Sequence, residues 1–179
     1  MKKLTLLLLT LTLSFMSCSK DATDVEFTTN LSTTSGEITV NDNTLRTPAN
    51  DGTFETEFII DLENEDTREY LDRLKDLELE DVKLTFQGLS GLAGNMTPTH
   101  LKISINNQVE INLNDFVYDR VAGGQEFAVN QSQLINEMAE ILLNNKKVSV
   151  KIEGQIPDTA TYHFYITIMA KARITAQAL

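Results

Sequence analysis

A two-residue alternation of apolar and polar side chains constrains this chain more than any other feature. Phe54, Thr56, Phe58, Ile60 and Leu62 alternate with Glu55, Glu57, Ile59 and Asp61. The same period runs through Val82-Leu84-Phe86, Leu101-Ile103-Ile105, Val109-Ile111-Leu113 and Val148-Val150-Ile152. Successive side chains of a strand point to opposite faces, so this pattern predicts antiparallel sheet with one packed and one wet face. The last run puts Tyr162, Phe164, Ile166, Ile168, Ala170, Ala172 and Ile174 on one face. A strand that long is expected at the centre of a sheet or passing between two sheets.

Register follows from the same period. Asn106-Asn107-Gln108 has turn chemistry, because Asn tolerates positive φ. A three-residue loop sets Ile105 opposite Val109 and Ile103 opposite Ile111 on one face; a two-residue loop would split them. Two segments leave the strand pattern. In EDTREYLDRLKDL, Tyr70, Leu71, Leu74 and Leu77 have helical spacing, with Asp66 or Thr67 as N-cap. In NQSQLINEMAEILLNN, Leu134, Ile135, Met138, Ile141 and Leu142 repeat it. Asn130 and Gln133 have capping-box spacing there, and Asn144-Asn145 can end the helix. The fold expected is α+β and β-sandwich-like, mostly antiparallel sheets with two amphipathic helices, in one β-rich domain over residues 31–179.

Glu55 onward and Gly124 onward share a strand, helix, strand order, with Glu57-Phe58 matching Glu126-Phe127. An internal duplication over about 54–105 and 124–174 is one reading; a shared β-α-β pattern is the other. A helix between strands also admits a parallel crossover.

The N-terminus is different in kind. Met1-Lys2-Lys3 precedes an apolar run from Leu4 to Met16, the layout of a secretory signal peptide and too short to span a bilayer. Phe15-Met16-Ser17-Cys18 then resembles the lipobox of bacterial lipoproteins, with Phe15 where Leu is more usual. That resemblance implies removal of residues 1–17 and lipidation of Cys18 as the new N-terminus, with residues 18–30 as the lipidated Cys and a flexible tether. The partner implied is outer-membrane lipid, held through acylated Cys18. Several acyl chains make such an anchor essentially permanent. Ser19-Lys20-Asp21, with Asp24, resembles the acidic export signal of Bacteroidota-type surface lipoproteins and implies a surface-exposed domain on the cell outer membrane. The periplasmic face is the alternative, and an ordinary solvated linker accounts for the same residues.

Cys18 is the only cysteine, so no disulfide is available and the apolar core alone holds the fold. Without residues 1–17 the net charge goes from −11 to −13, since Lys2 and Lys3 are lost and no acid is. That acidity argues against nucleic acid and against direct adsorption to anionic lipid. The lack of Trp gives glycan binding little support.

Chemistry-bearing clusters are few. His100 and His163 are the only histidines, and no motif joins them into a zinc site. Asp61, Glu63, Asn64, Glu65 and Asp66 crowd oxygen ligands together but lack the Gly and spaced acids of an EF-hand, so a solvated loop at a helix N-terminus is the simpler reading. Gly88–Gly94 holds Ser90 without the Gly-x-Ser-x-Gly spacing of a nucleophile elbow, and reads as a flexible connection, as Gly123-Gly124 reads as a turn. Asp158-Thr159-Ala160 resembles the O-glycosylation acceptor of exported Bacteroidota proteins, which implies modification at Thr159. No catalytic residue, metal or cofactor is expected. The function expected is a non-enzymatic surface binding or structural module, with a protein partner in the cell envelope. A carrier of a small apolar ligand, held between helices and sheet, is the alternative.

Overall fold

The computed structural model describes residues 23–40, 52–89, 99–106, 109–116, 124–156 and 161–178. Its elements in chain order are β1 (Asp24–Thr34), β2 (Ile38–Val40), β3 (Thr53–Asp61), β4 (Leu74–Gln87), β5 (Thr99–Ile105), β6 (Val109–Phe116), β7 (Glu126–Ala128), α1 (Ser132–Asn145), β8 (Lys147–Gln155) and β9 (Tyr162–Gln177). Every strand pairing among the described residues is antiparallel. One sheet has the order β1-β9-β4-β7, with β2 also on β9; the other has the order β3-β8-β5-β6.

β9 is central, as its length requires. β1 runs along it from Asp24↔Gln177 to Thr34↔Thr167, and β2 follows at Ile38↔Phe164. Ser35 fills the gap between them. Its N–H donates to the Ile166 carbonyl at 2.8 Å, and its Oγ accepts the Ile166 N–H at 3.0 Å. In the second sheet Ile105 faces Val109 and Ile103 faces Ile111, the register that the apolar pattern demands.

The inner faces of both sheets share one apolar core. Phe164 of β9 meets Phe54 of β3 edge-on at 5.2 Å and lies 6.0 Å from Phe86 of β4. Gly154 makes room for this contact. A Cβ there would lie 2.7 Å from Phe54 Cζ and 2.9 Å from Leu101 Cδ1. α1 lies against β4 of one sheet and β5, β6 and β8 of the other, so it contacts both sheets. It buries Leu134, Met138, Ala139 and Leu142, with Ile135 and Ile141 at the margins of the stripe.

Several expectations need correction. Among the described residues there is one α-helix, not two. The segment from Asp66 forms a turn, a short 3-10 helix at Leu71–Arg73, and then β4 from Leu74. Leu77 and Leu79 are both buried while Glu78 is exposed, so the two-residue period holds there against good helix formers. The turn is held by Asn64 rather than by a cap at Asp66 or Thr67: Asn64 Oδ1 accepts the N–H groups of Asp66 at 2.9 Å and Thr67 at 3.1 Å. Thr67, fully buried, donates its hydroxyl to the Leu62 carbonyl. The N-cap of α1 is Gln131, without a side-chain bond, instead of the Asn130–Gln133 box. The left-handed residue after the helix is Lys146, at φ 66°, whose N–H returns to the Leu142 carbonyl at 2.9 Å. The tether does not reach residue 30, because Asp24–Asn30 already pairs with β9. Val25, Phe27, Thr29 and Leu31 face inward there, and Phe27 packs on Tyr70 at 5.1 Å. Among the described residues of the two compared units, only the second carries an α-helix. Their strands interleave, with β3 pairing with β8 and β4 with β7.

Candidate functional site

The side chains singled out for chemistry do not converge. Cys18, Ser90 and Thr159 lie outside the described residues. His100 lies in β5 and His163 in the other sheet, where it is exposed and its Nδ1 is 3.1 Å from Thr39 Oγ1. Asp61, Glu63 and Asp66 of the acidic run are each engaged by other protein groups. Asp61 pairs with Lys147 at 2.7 Å and accepts the Glu63 N–H; Glu63 pairs with Arg68; Asp66 accepts the Thr29 hydroxyl at 2.9 Å. Desolvation alone would raise the Asp61 pKa. The bonds from Lys147 and the Glu63 N–H, with the Lys147 charge, outweigh it and hold the carboxyl below its ordinary value. No group of three or more His, Cys, Asp or Glu side chains among the described residues is arranged to hold a metal ion. No helix among them is long and apolar enough to cross a membrane.

The outer face of the four-stranded sheet carries an ion-pair chain that crosses every strand. Glu55 of β3 pairs with Lys151 of β8, which also reaches Glu153; Glu153 pairs with Lys102 of β5, which reaches Glu110 of β6. The bond from Lys102, then that from Lys151, holds the Glu153 pKa below the usual carboxylate value. Bonds to Glu110 and then Glu153 raise that of Lys102.

A groove lies at the edge of the other sheet. β7 pairs with β4 only from Lys83 to Thr85, and the Val129 N–H makes a last bond to the Val82 carbonyl at 2.8 Å. The chain then enters α1, which follows the edge of β4. Between them runs an open groove of about 420 Å³, lined by Asp76 to Glu80 of β4 and by Asn136, Ala139, Glu140 and Leu143 of α1. From Leu74 to Glu80, β4 has β9 as its only strand partner among the described residues. Glu78 and Glu80 lean to Arg173, and Glu80 also to Lys171. Asp76 and Glu140 form no ion pair among the described residues. The helix assignment of Leu74 and Leu77 hid this edge. Its signal in the sequence was the alternation Leu77-Glu78-Leu79-Glu80.

No family model matches this chain, and no curated protein matches it. Among solved structures, it is similar to the decameric BFDV capsid protein, with TM-score 0.44 and 8% identity over 84% of this chain and 99% of that one. It is also similar to the Desmodium yellow mottle tymovirus structure, with TM-score 0.31 and 13% identity over 88% of this chain and 89% of that one.

Proposed function

We propose that this is a lipid-anchored protein of the bacterial outer membrane, surface-exposed, whose β-sandwich domain is a non-enzymatic binding or structural module. The observation that carries the reading is the position of the lone Cys18. It follows a charged and apolar leader and comes just before the domain, whose β1 begins at Asp24. The five residues Ser19–Thr23 reach at most roughly 18 Å when extended. Such a tether keeps the domain beside the membrane, and its acidic charge keeps it off anionic headgroups.

The interior supports binding at the surface over carriage of an apolar ligand. Leu134, Met138 and Leu142 of α1 fill the space against the sheets at 1% exposure or less. The grooves found among the described residues are open and rimmed by charged or polar side chains. The test is Cys18→Ser, with membrane fractionation and mass measurement. The reading expects a protein released from membranes or left as uncut precursor; unchanged fractionation and mass would overturn it. Protease added to intact cells tests the exposed location, with cleavage of the domain expected before the outer membrane is opened.

A further inference from the structure

We infer that the groove between the β4 edge and α1 takes an extended, lysine- or arginine-bearing polypeptide segment, which adds to β4 as a strand. The inference rests on the reading of the domain as a binding module and names the chemistry of its partner.

Three observations converge on that occupant. First, among the described residues Leu74–Glu80 pairs with β9 along one edge only, while β7 ends at Lys83↔Ala128. A strand edge of this kind presents a row of N–H and C=O groups that an extended peptide satisfies, with main-chain bonds giving affinity and side chains giving specificity. Second, the groove lining holds four carboxylates, those of Asp76, Glu78, Glu80 and Glu140, and no Lys or Arg. Arg173 and Lys171 engage Glu78 and Glu80, and among the described residues no Lys or Arg pairs with Asp76 or Glu140. Third, Leu77, Leu79, Ala139 and Leu143 supply apolar lining between those acids. A strand that alternates cationic with apolar residues meets both kinds of surface at once.

Charge also selects among occupants. A second copy docked edge to edge would set Asp76 and Glu80 against the same acids, in a chain of net charge −11, and like charges placed opposite each other are unfavourable. A free apolar molecule would leave the carboxylates and the β4 backbone unpaired.

The test uses the full chain purified in detergent and a fluorescent peptide of alternating Lys and Val, followed by anisotropy. Amide exchange then reports where the peptide sits. The expected result is saturable binding that weakens as salt rises, with new protection of the Asp76–Glu80 amides. The Glu-Val counterpart should not bind, and a Lys-Val peptide N-methylated at every backbone nitrogen should bind at least about tenfold more weakly, because its backbone donors are removed on both edges. The double variant Asp76→Lys, Glu140→Lys alters exposed side chains, and should keep the thermal midpoint while losing at least about tenfold in affinity. Equal binding of the N-methylated peptide would overturn strand addition. Protection at another strand, undiminished binding by the double variant, or self-association that protects the same amides without peptide would overturn the assignment of the site or its occupant. The Cys18→Ser chain separates this from the anchoring proposal: lost membrane attachment with intact peptide binding leaves the groove assigned, and lost binding with intact attachment leaves the anchor standing.

Discussion

The two sheets handle charge differently at their surfaces. On the four-stranded sheet each lysine of the Glu55–Lys151–Glu153–Lys102–Glu110 chain sits between two carboxylates. The sum is nearly neutral, and β8 and β5 have strand partners on both sides. At the β4–α1 groove the acids outnumber their cations, and the backbone beside them has an open edge among the described residues. A face whose charges are matched within one molecule offers a partner little. Unmatched acids beside unpaired backbone leave interaction energy available to one. This contrast is what separates a solvated wall from a docking surface in this protein.

The comparison depends on a platform common to both sheets, and the largest expected effect comes from removing it. Phe164 is fully buried and touches rings from each sheet. Phe164→Ala should cost about 3–5 kcal/mol, as large aromatic truncations in cores do. Both the matched face and the groove should be lost in one cooperative transition by urea denaturation. A loss under about 1 kcal/mol would mean the sheets do not share the core described.

Next in size are the residues that place α1. Met138 is fully exposed to the core and not to water, so Met138→Ala should cost about 2–5 kcal/mol. Leu74 is only half-buried at the start of β4, and Leu74→Ala should cost clearly less. Equal losses would restore the reading in which Leu74 belongs to a buried helical stripe. Gly154→Ala tests the close approach of Phe54 and Leu101, at an overpacking cost of about 1–3 kcal/mol. Denaturant midpoints measure all three.

These predictions mark where the sequence was legible. Where one period ran unbroken it was enough: β9, the β5–β6 register and the buried face of α1 followed from spacing alone. β4 was only half read, because its inward positions change parity. Leu77 and Leu79 are odd-numbered, while Val82, Leu84 and Phe86 are even. A bulge between Glu80 and Lys83, with Asp81 at φ 50°, absorbs the change. An irregularity of one residue in the ladder cannot be told from a helix start by periodicity. The N-terminal half of β1 was missed for another reason. Thr28, Thr29 and Asn30 are polar enough to pass for linker, yet Thr29 is buried and holds the Asp66 and Asn64 side chains. The groove was illegible because it depends on where β7 stops and α1 begins, a fact of topology and not of local pattern.

The smallest expected effect tests the matched face itself. Lys102 and Lys151 both bond Glu153, and its pKa lies below the ordinary 4.5. A carboxyl whose pKa is lowered by folding binds protons more readily in the unfolded chain. Its contribution is therefore fully present above about pH 4.5 and is lost as pH falls through the lower folded value. The lysines act at the other end of the scale. Their raised values keep their contribution intact below the ordinary 10.5, so they do not shape the acid limb. Glu153→Gln should then melt slightly below wild type at neutral pH, within the range of about 0–1 kcal/mol usual for pairs near the surface. The gap between the two melting curves should close between pH 4.5 and the lower folded value. High salt at neutral pH should narrow it in the same direction, because the pairs are open to solvent. A gap that stays constant across the acid range would show that Glu153 acts through packing instead of charge, and the four-stranded face would no longer differ from the groove in the way its ion pairs suggest.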